Sequence, residues 1–228
     1  MPSIRPFFNS TTPFALALAV KTEKVALEFW AKTQQRFPQR DVTTLPNHRQ
    51  LEHFAVDSVL KHMGWDANVL QILHDTHGKP RLQSNDPQLS AQAISIAHST
   101  EGELCHALVA IGPGPIGCDI EFERDTLRKI AHRVFAPDEG TAGSSISNLA
   151  ALWTIKESMF KAFGPEIDFR KDLKISLPPL WKAETSVSWS LTGQVFDRQF
   201  HWNVSQQSSP LVNARVWICC GPLEIESA

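Results

Sequence analysis

Residues Ile116–Glu123 read IGCDIEFE. Ile116, Cys118, Ile120 and Phe122 alternate with Gly117, Asp119, Glu121 and Glu123, and a period of two is a strand with one apolar and one polar face. The polar face carries three acids in a row. Neighbours on one strand face sit roughly 7 Å apart, where like charges repel. Two arrangements tolerate this. One is a solvated sheet edge, since edge strands often carry charge. The other is a shared cation, and an all-oxygen donor set suits Mg²⁺ or Mn²⁺ and not zinc. Sharing would take Asp119, Glu121 and one further carboxylate. The strand follows the turn signal Pro113-Gly114-Pro115. Leu104–Ile111 before it reads as a buried strand, expected to form a hairpin-like unit with it through Gly112-Pro113-Gly114.

The second constraint is Ala150–Gly164, which reads ALWTIKESMFKAFG from Ala151. Leu152, Ile155, Met159, Phe160 and Phe163 recur at helical spacing, and Gly164-Pro165 is a helix stop. Glu157 and Lys161 lie one turn apart on one face. By themselves they read as a solvated ion pair. If the helix crosses the acidic strand, Glu157 supplies the third carboxylate.

GCDIE, followed some forty residues later by WTIKESMFKA, resembles the signature of the 4′-phosphopantetheinyl transferases. Three further stretches are similar to that family: Gly78-Lys79-Pro80, Ile94–Ser99 (ISIAHS, with Ala97 where the family has serine) and Arg128–Glu139. The resemblance runs from about Arg49 to Leu177 with its parts in family order. It implies an α+β fold of two similar halves, each a helix with an antiparallel sheet. Residues 1–112 would be the N-terminal half. Residues 113–228 would be the C-terminal half carrying the metal site, with the active site between them. An echo between Asp57, Ser58, Lys61, Gly64 and Glu157, Ser158, Lys161, Gly164 fits such a duplication.

By the same resemblance, Mg²⁺ is held by Asp119, Glu121 and Glu157, and coenzyme A is contacted by Arg49 at the nucleotide 3′-phosphate, by His98 at a phosphate, and by Lys79, Ser99 and Lys161. The implied reaction moves the phosphopantetheine arm of coenzyme A onto a serine of an apo acyl or peptidyl carrier protein, releasing 3′,5′-ADP. Glu157 or a metal-bound water is the general base, and Lys161 neutralises the leaving group. A second family arginine on the Arg49 helix falls near Asp57, which puts part of the usual anion pocket in question. Other readings of the carboxylates are a different Mg²⁺-dependent phosphohydrolase, or an inactive relative that binds coenzyme A or a partner.

The remaining chain is ordinary in composition. A net charge of −2 gives no global basic field for nucleic acid, so any anion site is a local patch. The four cysteines, Cys105, Cys118, Cys219 and Cys220, form no Cys-x-x-Cys motif, which fits a reducing, cytoplasmic setting without structural zinc. Phe14–Val20 reads as a buried first strand and not a leader, and no apolar run is long enough to span a membrane. Lys21 to Arg36 reads as a helix, with Lys21, Lys24, Lys32, Arg36 and Arg40 making a basic rim. Asn47–Gly64 is the next helix and Val69–Leu73 a short strand. Arg124, Arg128, Lys129 and Arg133 lie on a basic amphipathic helix, which is either a solvated face or a surface for an acidic protein partner, and the resemblance implies a carrier domain there. Ala142–Ser147 reads as a loop. Thr185–Thr192, Gln194–Asn203 and Leu211–Cys220 read as a meander with a turn at Gly193. The length suits a monomer of the broad two-half type.

Overall fold

Residues 2–11, 14–22, 27–139, 145–176, 188–195 and 198–223 are described in a computed structural model of the chain. Their contacts divide into two units. One comprises Met1–Gly114 with Pro210–Val212; the other comprises Pro115–Ser209 and Asn213–Ala228. Both are mixtures of helix with antiparallel sheet, so the α+β class expected from the sequence is found.

In the first unit β1 (Ser3–Thr11), β2 (Phe14–Lys21), β5 (Ala93–Glu101) and β6 (Leu104–Gly112) form one antiparallel sheet in the order β1-β2-β6-β5. The apolar run Phe14–Val20 is therefore the second strand, and β1 precedes it. All nine residues of β6 are buried, as a strand flanked on both edges should be. Helix α1 spans Leu27–Arg36, since Lys21 ends β2, and Lys24 lies outside the described residues. Helix α2, Asn47–His62, buries every residue from Leu51 to Leu60. Its apolar residues join Leu18, Val20, Ile94 and Val109 in one core. A short hairpin of β3 (Leu70–His74) and β4 (Pro80–Ser84) and a one-turn helix α3 (Pro87–Ser90) complete the unit.

In the second unit β7 (Gly117–Phe122), β8 (Leu173–Ser176), β9 (Ser188–Val195), β10 (Arg198–Ser208) and β11 (Arg215–Leu223) pair in the order β7-β11-β10-β9-β8. Helices α4 (Thr126–Val134) and α5 (Ile146–Phe163) accompany this sheet. The expected meander β9-β10-β11 is present, but Gly193 sits inside β9, opposite Phe200, and not in a turn. A side chain there would meet Met159 and the Trp202 ring at 2.8–3.0 Å, so close packing explains this glycine. The expected hairpin between β6 and β7 does not form. Both edges of β6 are taken by β2 and β5, and β7 pairs with β11. The two strands around Gly112–Gly114 thus belong to different sheets.

Candidate active site

The strand of acids is buried on both faces. Asp119 is 7% exposed and Glu121 5%, so the solvated-edge reading fails, and each carboxylate has a cation beside it. Lys161 Nζ donates to Asp119 Oδ1 at 2.7 Å. Arg124 Nη2 donates to Glu121 Oε2 at 2.6 Å, and the Phe122 N–H donates to Glu121 Oε1 at 2.8 Å.

Gly117 explains how α5 reaches this strand. A Cβ at position 117 would lie 1.8 Å from the Ser158 carbonyl oxygen and 2.8 Å from the Ala162 nitrogen. Only hydrogen at that position allows β7 and α5 to touch, backbone to backbone. Ser158 reinforces the contact: its hydroxyl donates to Thr154 O at 2.8 Å and is 3.2 Å from Cys219 O on β11. The helix is capped at both ends, by Ser145 Oγ accepting from the Asn148 N–H and by Gly164 at φ 105°.

Glu157 lies one turn before Lys161 and is half-buried. Burial first, then Glu157 and Glu121 against the opposing Lys161, push the Asp119 carboxyl up to about 7. Glu157 is likewise raised, by burial and then by Glu121 against Lys161. Burial would lower Lys161, but Asp119 and Glu157 outweigh it and hold the ammonium above its ordinary value. The three carboxylates and the ammonium therefore act on one another as one electrostatic group. Among the described residues no three Asp, Glu, His or Cys side chains are gathered closely enough to hold a metal ion. The side chains of Asp119, Glu121 and Glu157 offer only oxygen donors, the kind a hard divalent cation takes, and in this structure Lys161 and Arg124 already pair with two of them.

Lys156 neither reaches solvent nor faces this cluster. It is fully buried, 2.6 Å from Glu139 and bonded to the carbonyls of Val134 and Phe169 at 3.1 and 2.7 Å. Glu123, beyond the strand's end, accepts from Ser147 Oγ, Gln206 Nε2 and Trp217 Nε1, and pairs with Arg215. Of the basic stretch, Arg128, Lys129 and Arg133 are exposed on α4. Arg124 precedes the helix and is committed to Glu121.

The first unit holds a separate cavity of about 220 Å³, lined among others by Arg40, Arg49, Glu52, His53, His74 and His98. Arg49 and His98 were expected ligand contacts. Lys79 is exposed beside the lining residues Gly78 and Pro80, and Ser99 is buried on the other face of β5. Burial, helped by Arg40, keeps His53 and His74 below the usual histidine range. Arg36, expected on a basic rim, is instead fully buried. It pairs with Asp57 at 3.1 Å and donates to the carbonyls of Trp65, Asp66 and Leu70. Asp57 also takes Lys61 Nζ at 2.5 Å, so it serves the core and not the cavity. Glu52, His53 and His74 were not singled out in the sequence, although Arg49 and Glu52 have the i,i+3 spacing of a helical ion pair.

Comparison with known proteins gives concordant results. Residues 115–220 match the family model of the 4′-phosphopantetheinyl transferase superfamily. Over 146 residues the chain is 28% identical to the 4′-phosphopantetheinyl transferase HetI of Nostoc sp., a match covering 60% of each protein. Over 77 residues it is 38% identical to the 4′-phosphopantetheinyl transferase gsp of Aneurinibacillus migulanus, covering 31% of each. The chain thus spans less than two thirds of the length of either relative.

Proposed function

We propose that this chain, a member of the 4′-phosphopantetheinyl transferase superfamily through its residues 115–220, moves the phosphopantetheine arm of coenzyme A onto a serine of an apo acyl or peptidyl carrier protein. The observation that carries this reading is the group of Asp119 and Glu121, both buried, with the half-buried Glu157 and Lys161, built where α5 meets β7 at Gly117. Ionisable groups gathered this closely, with Asp119 and Glu157 both raised, are what a site for a charged substrate calls for.

In the reaction the carrier serine oxygen bonds to the β-phosphorus of coenzyme A. The pyrophosphate bridge breaks, and 3′,5′-ADP leaves. Glu157 takes the hydroxyl proton, directly or through water. Lys161 stands one turn away, where its ammonium offsets the charge that grows on the departing phosphate. Asp119, Glu121 and Glu157 would hold Mg²⁺ or Mn²⁺. When bound, that ion supplies charge neutralisation at the pyrophosphate. Arg49, Lys79 and His98 would contact the nucleotide end of coenzyme A, whereas Ser99, buried on the other face of β5, would not, and the basic groups around the cavity support an anionic ligand there. The exposed Arg128, Lys129 and Arg133 would receive the acidic carrier.

The test is intact-mass spectrometry of an apo acyl carrier protein incubated with this chain, coenzyme A and Mg²⁺. The expected result is a gain of one phosphopantetheine arm, absent with Glu157→Gln. No gain on that carrier or on a peptidyl carrier domain would favour an inactive relative or a Mg²⁺-dependent phosphohydrolase.

A further inference from the structure

The cavity of the first unit contains its own anion. Glu52, on α2, is 7% exposed. Its Oε2 accepts from Arg49 Nη1 at 2.9 Å. Its Oε1 lies 3.4 Å from His98 Nδ1 and accepts from Thr100 Oγ1 at 3.4 Å. Arg49 and His98, both assigned to the ligand under the proposed function, are therefore already facing a carboxylate.

We propose that Glu52 is a specificity-determining residue: a resident anion that competes with a ligand phosphate for Arg49 and His98. This rests on the reading of the cavity as the nucleotide end of the coenzyme A site. The carboxylate has two opposed effects. It holds Arg49 and His98 in place before the ligand arrives, which helps binding. It also repels the entering phosphate. An ion pair whose arginine is half exposed orders little. A buried like charge a few ångströms from a phosphate repels strongly, because burial leaves little water to screen it. Repulsion therefore wins, and a 3′-phosphate on the nucleotide contributes little to binding by this chain. Arg40, on the cavity wall, still attracts the anion as a whole. The site thus keeps affinity for a nucleotide pyrophosphate while discriminating weakly at the 3′ position.

The experiment is isothermal titration calorimetry of the full chain with 3′,5′-ADP and with 5′-AMP, in wild type and Glu52→Gln. Glutamine keeps the length and an acceptor for Arg49 but removes the charge. The expected result is a wild-type preference for 3′,5′-ADP of under about tenfold, where a site that rewards the group would give far more. In Glu52→Gln, 3′,5′-ADP should bind about tenfold tighter, with 5′-AMP unchanged. Glu52→Asp, which keeps the charge, should retain the weak preference. Unchanged or weakened 3′,5′-ADP binding in Glu52→Gln overturns the proposal and leaves the coenzyme A reading standing. Binding of neither nucleotide by any of the three chains overturns both. Should Glu52→Gln not fold, the wild-type chain decides: a ratio of kcat/KM for coenzyme A over its 3′-dephospho form above about a hundredfold overturns the proposal.

Discussion

His106, in the middle of β6 and fully buried, is the residue with the largest resolved fall in basicity: burial pushes its imidazole down to about 4. The unfolded chain carries an ordinary histidine near 6.5. Between those values the unfolded state binds the proton and the folded state does not, so stability rises with pH across that window and is lost as pH falls through it. The full effect is on the order of 3 kcal/mol. Subtracting the urea-unfolding profile of His106→Gln from that of wild type should leave a curve that climbs from about pH 4 to about pH 6.5 and is flat above. A flat difference throughout would mean that His106 charges freely in the fold. Gly117 makes a second residue-level case. Its substitution by alanine places a methyl group 1.8 Å from a helix carbonyl, and backbone cannot yield as a side-chain tip can. A loss of about 3 kcal/mol is expected from the urea midpoint, together with loss of transferase activity, because Asp119 and Glu157 separate when α5 retreats.

At the scale of elements, each unit is tied by one fully buried cation. In the first, Arg36 at the end of α1 joins Asp57 of α2 to the carbonyls of Trp65 and Asp66 and to that of Leu70 at the start of β3. In the second, Lys156 of α5 joins Glu139 to the end of α4 at Val134 and to the segment at Phe169. Glu139 also accepts from the Ala136 N–H at 2.7 Å and from the Ile175 N–H of β8 at 3.3 Å. Removing one member of such a pair strands the other charge without water. Lys156→Met should therefore cost about 3–5 kcal/mol in thermal or urea unfolding. Lys156→Met with Glu139→Gln should recover part of that loss, since the buried charge is gone. Equal loss in the single and double variants would show that the carbonyl contacts matter and the ion pair does not.

At the scale of the molecule, a net charge of −2 leaves association to local patches. The exposed Arg128, Lys129 and Arg133 of α4 form such a patch, and Arg124, exposed just before the helix, is paired with Glu121. If an acidic carrier docks there, Arg128→Glu with Arg133→Glu should raise KM for the carrier about tenfold and leave KM for coenzyme A unchanged. Added salt should narrow the difference between the two proteins. A parallel change in both KM values would remove this face from the docking surface.

Much of this was legible in the chain itself. Period-two alternation marked β7, β10 and β11, period 3.6 marked α2 and α5, and the glycines after α2 and α5 marked their ends, because each signal is local and the backbone period is fixed by covalent geometry. The four charges of the candidate site stood in two local patterns, two alternate on a strand and two one turn apart on a helix, and the family resemblance joined the two patterns. What stayed hidden depended on which segments meet. Pairing of β7 with β11 instead of β6, the glycine placed inside β9, and the burial of Arg36 and Lys156 all arise from contacts between residues distant in sequence. A lysine reads as solvent-facing until a buried glutamate from another segment is brought beside it. Glu52 is the clearest case. In the sequence it stands three residues after Arg49 with nothing to single it out. Only the packing of α2 against β5, which sets His98 and Thr100 opposite the same carboxylate, makes it the resident anion of a cavity.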